Sequence, residues 1–489
     1  MTATRAVSAT FWSVVDILLR QGVQFAISVV LARLLLPSDY GTVALLALFV
    51  GVAGVLAEGG MSSALIQRPD VADDDLSTVF WFNLSAATIG AAVLWLIAPA
   101  IAALFDKPVL EPLARAMGVN LIVATCGSIQ QALFTRRLDF RPVTIASVVS
   151  MLLSGGVAIG AAWHGFGVWA LAAQTLTASA ATTLMLWQQS RWRPKPIISL
   201  ASARRLFGFG GYMLASALLD VAFNQGYTLI IGRLYGAGEV GLYGRGQSTA
   251  QLPSTMLNSI ISRVAFPLFS RAVSREQLSE TMQFSVQTTM LINAPTMLGL
   301  AAVADPFVLT AFGEPWRPCV PILQILCISG LLMPLHVINL QALIALGCSN
   351  LFFRLELVKK SVGLLALLVA AREGATGIAW AMLIASFFAY YVNAFYSHRL
   401  TGYGLLRQIG DVTPSVGSAL AMACAVLVVH PFLFGFSPFQ RLVVEILIGA
   451  VVFPALAVIL NLPGYRDLRD LLLTSYQSRL ALRATKNRA

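Results

Sequence analysis

Charge is scarce in this sequence. Asp, Glu, Lys and Arg make up 11% of its 489 residues, where a soluble domain carries roughly a quarter. A chain that is 57% hydrophobic, with a mean hydropathy of +0.78, cannot cover itself with polar surface. That excludes a soluble enzyme and a disordered regulator. Cysteine is scarce as well: the five thiols (Cys126, Cys319, Cys327, Cys348, Cys424) form no CxxC pair and lie in or beside apolar runs. They read as small packing residues, which excludes a disulfide framework and a thiolate metal site. The four histidines, His164, His336, His398 and His430, make no ligand-spaced cluster, so no metal or other cofactor is expected. Neither a GxxxxGK[ST] phosphate loop nor an HExxH motif occurs, so the chain carries no built-in nucleotide motor of that class.

What fills the sequence instead is long apolar runs. At roughly 20 residues per bilayer crossing, they divide into about fourteen spans. The expected fold class is therefore an all-α polytopic membrane protein. Its first run starts after Thr10 and continues past Leu31 with Asp16 and Arg20 inside it, which reads as an uncleaved span and not a signal peptide. With an even number of spans, both termini share one side. Arg136, Arg137, Arg191, Arg193, Lys195, Arg204, Arg205 and the tail fall on that side, while Arg33, Lys107, Arg233, Arg317, Arg372 and Arg441 fall on the other. The terminal side holds about three times as many basic residues, so the positive-inside rule puts both termini in the cytoplasm. Most of the +11 net charge is accounted for by this topology.

The organisation expected from these runs is a six-helix N-terminal lobe over residues 1–190 and a basic linker at 191–206. A six-helix C-terminal lobe at 207–396, two additional helices at 397–461 and a basic tail at 462–489 follow. An internal repeat supports two related lobes. Ala32–Gly41 reads ARLLLPSDYG, and 200 residues later Gly232–Gly241 reads GRLYGAGEVG, with Gln24 and Asn224 in register upstream. Arg33-Leu34, Asp39 and Gly41 match Arg233-Leu234, Glu239 and Gly241. Paired lobes of this kind are a common transporter plan. The acid in each copy has a local job open to it as well, capping the helix that follows.

Polar groups inside spans are costly and usually face a bundle interior or a water-filled cavity. Asp16 and Arg20 lie four apart on the first helix and either tie the bundle together or present a cation to an anionic substrate. The seventh helix carries Asp220, Asn224 and Gln225, and the eighth carries Arg245, Gln247 and Gln251. Arg245 is one turn from the outer end, where snorkelling to the interface is the alternative to a cavity role. Glu58, in AEGGMSSA, is either a proton or cation site or an acid reaching water beside a packing patch. Lys359 and Lys360 are expected at the cytoplasmic interface, beside anionic lipid headgroups.

Two segments carry a family resemblance. LARLLLPSDYGTVALLALFVGVAGVLAEGGMSSALIQRPDV, near the N-terminus, and NQGYTLIIGRLYGAGEVGLYGRGQSTAQLPSTMLNSIISRVAFPLFSR, from Asn224 to Arg271, resemble bacterial polysaccharide repeat-unit flippases. The likeness is to the Wzx-type, exopolysaccharide and colanic-acid-like branch of the multidrug/oligosaccharidyl-lipid/polysaccharide exporter superfamily. The resemblance implies fourteen helices in two pseudo-symmetric lobes around a V-shaped cavity. It implies transport of undecaprenyl-diphosphate-linked oligosaccharide to the periplasmic leaflet of the bacterial inner membrane by alternating access. Polysaccharide polymerase and chain-length machinery are the implied protein partners, and nucleic acid is not. On this resemblance Arg20 and Arg245 would bind the diphosphate, while Asn224, Gln225, Gln247 and Gln251 would serve the sugar. Parts of the superfamily couple to protons or sodium, for which Asp16, Glu58 and Asp220 are the candidates.

Physical chemistry supports the same division of labour. A diphosphate crossing hydrocarbon needs guanidinium partners, and a neutral oligosaccharide needs hydroxyls and amides. Two other readings stay open on sequence: a cation-coupled multidrug or metabolite exporter, and an integral membrane polymerase or ligase of polysaccharide assembly. The first would need acidic groups for cationic drugs, the second interfacial carboxylates and a sizeable loop.

Overall fold

The computed structural model describes residues 21–59, 61, 65, 73–137, 139–270 and 274–470. Every regular element among the described residues is helical, as it must be where no water is present to satisfy backbone groups. The helices are α1 (Gln21–Leu34), α2 (Pro37–Leu45), α3 (Ala47–Glu58), α4 (Asp73–Leu104), α5 (Leu110–Arg136), α6 (Phe140–Trp163), α7 (Val168–Gln189) and α8 (Leu200–Tyr235). They continue as α9 (Ala237–Ser270), α10 (Arg275–Ala302), α11 (Ala304–Ala311), α12 (Val320–Ala345), α13 (Ser349–Ala370), α14 (Gly374–Thr401), α15 (Leu405–Val429) and α16 (Pro438–Ile459). Among the described residues nine helices are long and apolar enough to cross a bilayer, or ten if α10 and α11, bent by 73° at their junction, form one span. The helices follow the order of the expected spans, and the all-α polytopic class is what the structure has.

The described residues pack as two compact units, one ending at Gly244 and one beginning at Arg245. The boundary falls inside α9, whereas the expected linker at 191–206 lies within the first unit. There it is tied to the start of α4. Trp81 Nε1 donates to the Lys195 carbonyl at 2.7 Å, the Lys195 N–H to Ser77 Oγ at 3.1 Å and the Ser199 N–H to Thr78 Oγ1 at 3.0 Å. Helix α8 also packs in this unit, because glycines let it approach closely. A methyl group on Gly51 would lie 2.9 Å from Val221, and one on Gly232 would run into Leu45.

The repeat is visible in three dimensions. Residues 31–34 and 231–234 share the same burial pattern, two buried then two exposed. Asp39 caps α2 by accepting from the Leu36 N–H at 3.0 Å, and Pro37 occupies the first helical turn, where its missing N–H costs nothing. The two copies then cross each other reciprocally. A Cβ on Gly41 would overlap the carbonyl of Ala237, and a Cβ on Gly241 would overlap the carbonyl of Pro37. Residue 41 meets 237 while 241 meets 37. This is the isologous pattern of a two-fold axis, here relating two segments of one chain.

Within the first unit, small residues hold α5, α6 and α7 together, as expected where lipid supplies no hydrophobic drive between helices. Gly127 faces Thr183, whose Oγ1 donates to the Val123 carbonyl at 3.0 Å, and Gly155 faces Ile27. In the second unit one apolar core runs through α10, α12, α14, α15 and α16, with Met282, Met290, Ile338, Ala394, Ala419 and Met422 at its centre. Large apolar side chains point outward along the helices, for example Leu96 at 80% and Val369 at 81% exposure. Exposed aromatics gather at helix connections, with Trp163 and Phe166 at one and Phe432, Phe434 and Phe439 at another. They match the aromatic belts of membrane–water interfaces.

Candidate functional site

The first unit contains a polar cavity of about 560 Å³ between α1, α5, α6 and α7. Three amides line it, on Gln24, Gln131 and Gln174, and six hydroxyls, on Ser147, Ser150, Ser154, Thr175, Ser179 and Thr182. Helical spacing explains the arrangement. Ser147, Ser150 and Ser154 recur at three- and four-residue steps along α6, and Thr175, Ser179 and Thr182 do so along α7, so each set shares one face. Some of this polarity is satisfied internally. Thr182 Oγ1 donates to Ser150 Oγ at 2.9 Å, Ser154 Oγ to the Met151 carbonyl at 3.2 Å and Thr175 Oγ1 to the Leu171 carbonyl at 3.1 Å. The side chains of Gln24, Gln131, Gln174, Ser147 and Ser179 make no hydrogen bond among the described residues. Among the described residues no charged side chain lines the cavity.

Of the residues singled out from sequence, Asp16 and Arg20 lie outside the described residues. Arg245 is 7% exposed, with its guanidinium carbon 4.8 Å from the ring centres of both Phe312 and Trp316. It is held inside an aromatic box and does not snorkel. Asp220 and Asn224 are exposed one turn apart on α8, with Gln225 half-buried beside them. On α9, Gln251 is exposed and Gln247 half-buried. Glu58 is exposed at the end of α3, where Gly59, in the left-handed conformation at φ 57°, stops the helix. Asp220 and Asn224 therefore share a polar face in the first unit, and Arg245 belongs to the second.

The second unit holds polar constellations that reading the sequence missed. Lys359, expected at the interface, is half-buried in α13 and paired with Glu356. Its ammonium also donates to Asn393 Oδ1 at 3.2 Å, and Asn393 Nδ2 donates to His336 Nδ1 at 3.2 Å. His336 thus carries its proton on Nε2, which reaches Ser386 Oγ at 3.1 Å. Asp411 is a second hub: Gln283 and Gln287 donate to Oδ1 at 2.8 and 2.7 Å, and Tyr403 Oη to Oδ2 at 2.8 Å. A third lies between α15 and α16. Arg441 Nη2 meets His430 Nε2 at 2.8 Å, so that nitrogen accepts and Nδ1–H donates to the fully buried Glu445 at 2.8 Å. Arg441 also approaches Asp305 at 3.6 Å.

No groups of His, Cys, Asp and Glu that could hold a metal ion occur among the described residues. The chemistry on offer is hydrogen bonding and buried charge within membrane helices, which suits passage of a polar cargo.

Comparison with known proteins agrees. Among solved structures the chain resembles the lipid II flippase MurJ in its inward closed conformation, with a TM-score of 0.76 at 14% identity, over 93% of this chain and 98% of that one. It also resembles an inward-facing multidrug resistance MATE family transporter of the MOP superfamily, with a TM-score of 0.60 at 16% identity, over 79% and 96% of the two chains. These identities speak for the fold. Succinoglycan biosynthesis transport protein ExoT of Rhizobium meliloti (strain 1021) is 31% identical over 335 residues, covering 68% of this chain and 67% of the relative. Lipopolysaccharide biosynthesis protein WzxC of Escherichia coli (strain K12) is 27% identical over 388 residues, covering 78% of each. The polysaccharide biosynthesis protein family model matches residues 30–321. With a match over more than half its length and a relative this similar, the chain belongs to the polysaccharide biosynthesis protein family.

Proposed function

We propose that this protein is a flippase moving an undecaprenyl-diphosphate-linked oligosaccharide repeat unit from the cytoplasmic to the periplasmic leaflet of a bacterial inner membrane. The observation that carries the reading is its similarity to a succinoglycan biosynthesis transport protein across two thirds of both chains. The fold shared with a lipid II flippase supports it, as does uncharged hydrogen-bonding chemistry inside a membrane unit. The activity is transport and not catalysis. It works by alternating access, with both termini cytoplasmic, and its product passes to polymerase and chain-length machinery for exopolysaccharide, capsule or lipopolysaccharide.

In this reading Arg20 and Arg245 supply positive charge to the diphosphate, a role for which guanidinium is suited by its paired donors. Asn224, Gln225, Gln247 and Gln251 serve as polar contacts on α8 and α9. Asp16, Glu58 and Asp220 are the acids proposed for proton or sodium coupling. Support for Asp220 and Glu58 is that both are exposed on helices, where a cation can reach them.

Deletion of the gene, followed by a leaflet-resolved assay of lipid-linked oligosaccharide, tests the proposal. Accumulation on the cytoplasmic leaflet is the expected outcome. Normal delivery to the periplasm with failed polymerisation would overturn it in favour of an enzyme of assembly.

A further inference from the structure

The polar cavity of the first unit has a chemistry specific enough to assign a ligand class. We infer that it is a subsite for the uncharged sugar portion of the cargo, with Gln131 and Gln174 as its principal contacts. The inference rests on the flippase reading and deepens it, since it names which part of the cargo binds where.

Gln131 and Ser147 belong to α5 and α6, which are long and apolar enough to cross a bilayer, where an unsatisfied polar group costs free energy, and Gln174 and Ser179 belong to α7, packed against α6. Yet none of the four makes a hydrogen bond among the described residues, and Gln131 and Ser147 are exposed. Side chains like these are stable at membrane depth only beside water or a polar ligand. A volume of about 560 Å³ lies within the ~300–1,000 Å³ typical of small-ligand sites and exceeds what scattered structural waters need.

A sugar presents neighbouring hydroxyls that each donate and accept. Amides and hydroxyls answer both roles, and the lining consists of these among apolar residues. Among the described residues no guanidinium, ammonium or imidazole lines the cavity, so these residues offer a diphosphate no countercharge. The same described lining holds no carboxylate, which disfavours a cationic drug. The described lining also lacks aromatic side chains. Without a ring to stack on a sugar face, binding rests on individually modest hydrogen bonds, which suits a carrier that must let its cargo go.

The experiment compares ligands that differ only in the sugar. Protein in nanodiscs is titrated with bare undecaprenyl diphosphate and with its tetrahexosyl derivative. The variants are Gln131→Leu/Gln174→Leu, which keeps side-chain bulk, and the milder Ser147→Ala/Ser179→Ala. Two lost amide contacts should weaken binding of the glycosylated lipid about tenfold, and the serine pair should weaken it several-fold. Binding of the bare lipid should be unchanged in both. Unchanged binding of the glycosylated lipid, or an equal loss for both lipids, would overturn the inference. A thermal midpoint held at the wild-type value separates a contact role from a folding defect; if the leucine pair does not fold, the serine pair decides between the same two outcomes. The flippase reading fails separately: wild-type protein would bind the glycosylated lipid in preference to the bare one and yet fail to carry it between leaflets.

Discussion

Replacing Gly41 with alanine should break the contact on which the two repeat copies meet. The added methyl would lie 2.9 Å from the Gly241 nitrogen and overlap the Ala237 carbonyl outright, where ordinary Cβ contacts are 3.4–4 Å. The obstructing atoms are backbone, so no rotamer change can relieve the clash and the helices must separate. Overpacking of this kind costs about 1–3 kcal/mol, and a backbone clash belongs at the upper end. Gly241→Ala inserts the mirror-related methyl, 3.2 Å from the Gly41 nitrogen and into the Pro37 carbonyl. The two single variants should therefore lose similar stability. The double variant should lose much less than their sum, because one separation of the helices accommodates both methyls. Gly156→Ala and Gly244→Ala are the controls, since a Cβ at either position meets nothing within 4 Å. Each should be neutral or stabilise by up to about 1 kcal/mol through helix propensity. Thermal unfolding followed by fluorescence-detected size exclusion in detergent reads all five variants. A wild-type midpoint for Gly41→Ala, or strict additivity in the double variant, would refute the reciprocal crossing.

Other outcomes follow from the buried polar sets. Glu356→Gln should destabilise more than Lys359→Met, because Lys359 is 10% exposed and Glu356 28%, so the stranded ammonium has less access to water; midpoints in the same assay decide the order. Asp411→Asn weakens bonds from two glutamines and a tyrosine and should cost about 2–3 kcal/mol, with Gln283→Ala and Gln287→Ala each costing less. His430→Ala leaves the buried Glu445 without its donor and should cost about 1–3 kcal/mol, measured as a lowered midpoint. Arg245→Ala should abolish export while the protein still inserts. Arg245→Lys should restore it only in part, because an ammonium does not stack between Phe312 and Trp316 as a planar guanidinium does.

Much of the fold is legible in the sequence because apolar length sets helix number, and the register of ARLLLPSDYG with GRLYGAGEVG places the repeat. The boundary between units is harder to read. The basic segment at 191–206 looks like a linker by composition, but Trp81, Ser77 and Thr78 bind its backbone. The packing of α8 depends on Gly51 and Gly232, and nothing in their neighbourhoods in sequence shows what each will touch. The sugar subsite does leave a signal, in the three- and four-residue steps of Ser147, Ser150, Ser154 and of Thr175, Ser179, Thr182. That signal is weak beside the ionisable residues, since hydroxyls in apolar helices often bond back to their own backbone, as Thr175 does. Lys359 reads as interfacial because its neighbour is Lys360, whereas Glu356 one turn earlier supplies the partner that lets its side chain be largely covered.

Reconstitution measures most directly whether this protein carries a lipid-linked oligosaccharide across a bilayer. Purified protein in liposomes would receive tetrahexosyl undecaprenyl diphosphate, with a membrane-impermeant glycosidase reporting which leaflet holds the sugar. Faster protection or exposure of the sugar than in protein-free liposomes, slowed by Arg245→Ala and by Gln131→Leu/Gln174→Leu, is the predicted result. Transfer at the protein-free rate by correctly folded wild-type protein, with any coupling gradient of protons or sodium supplied, would contradict it.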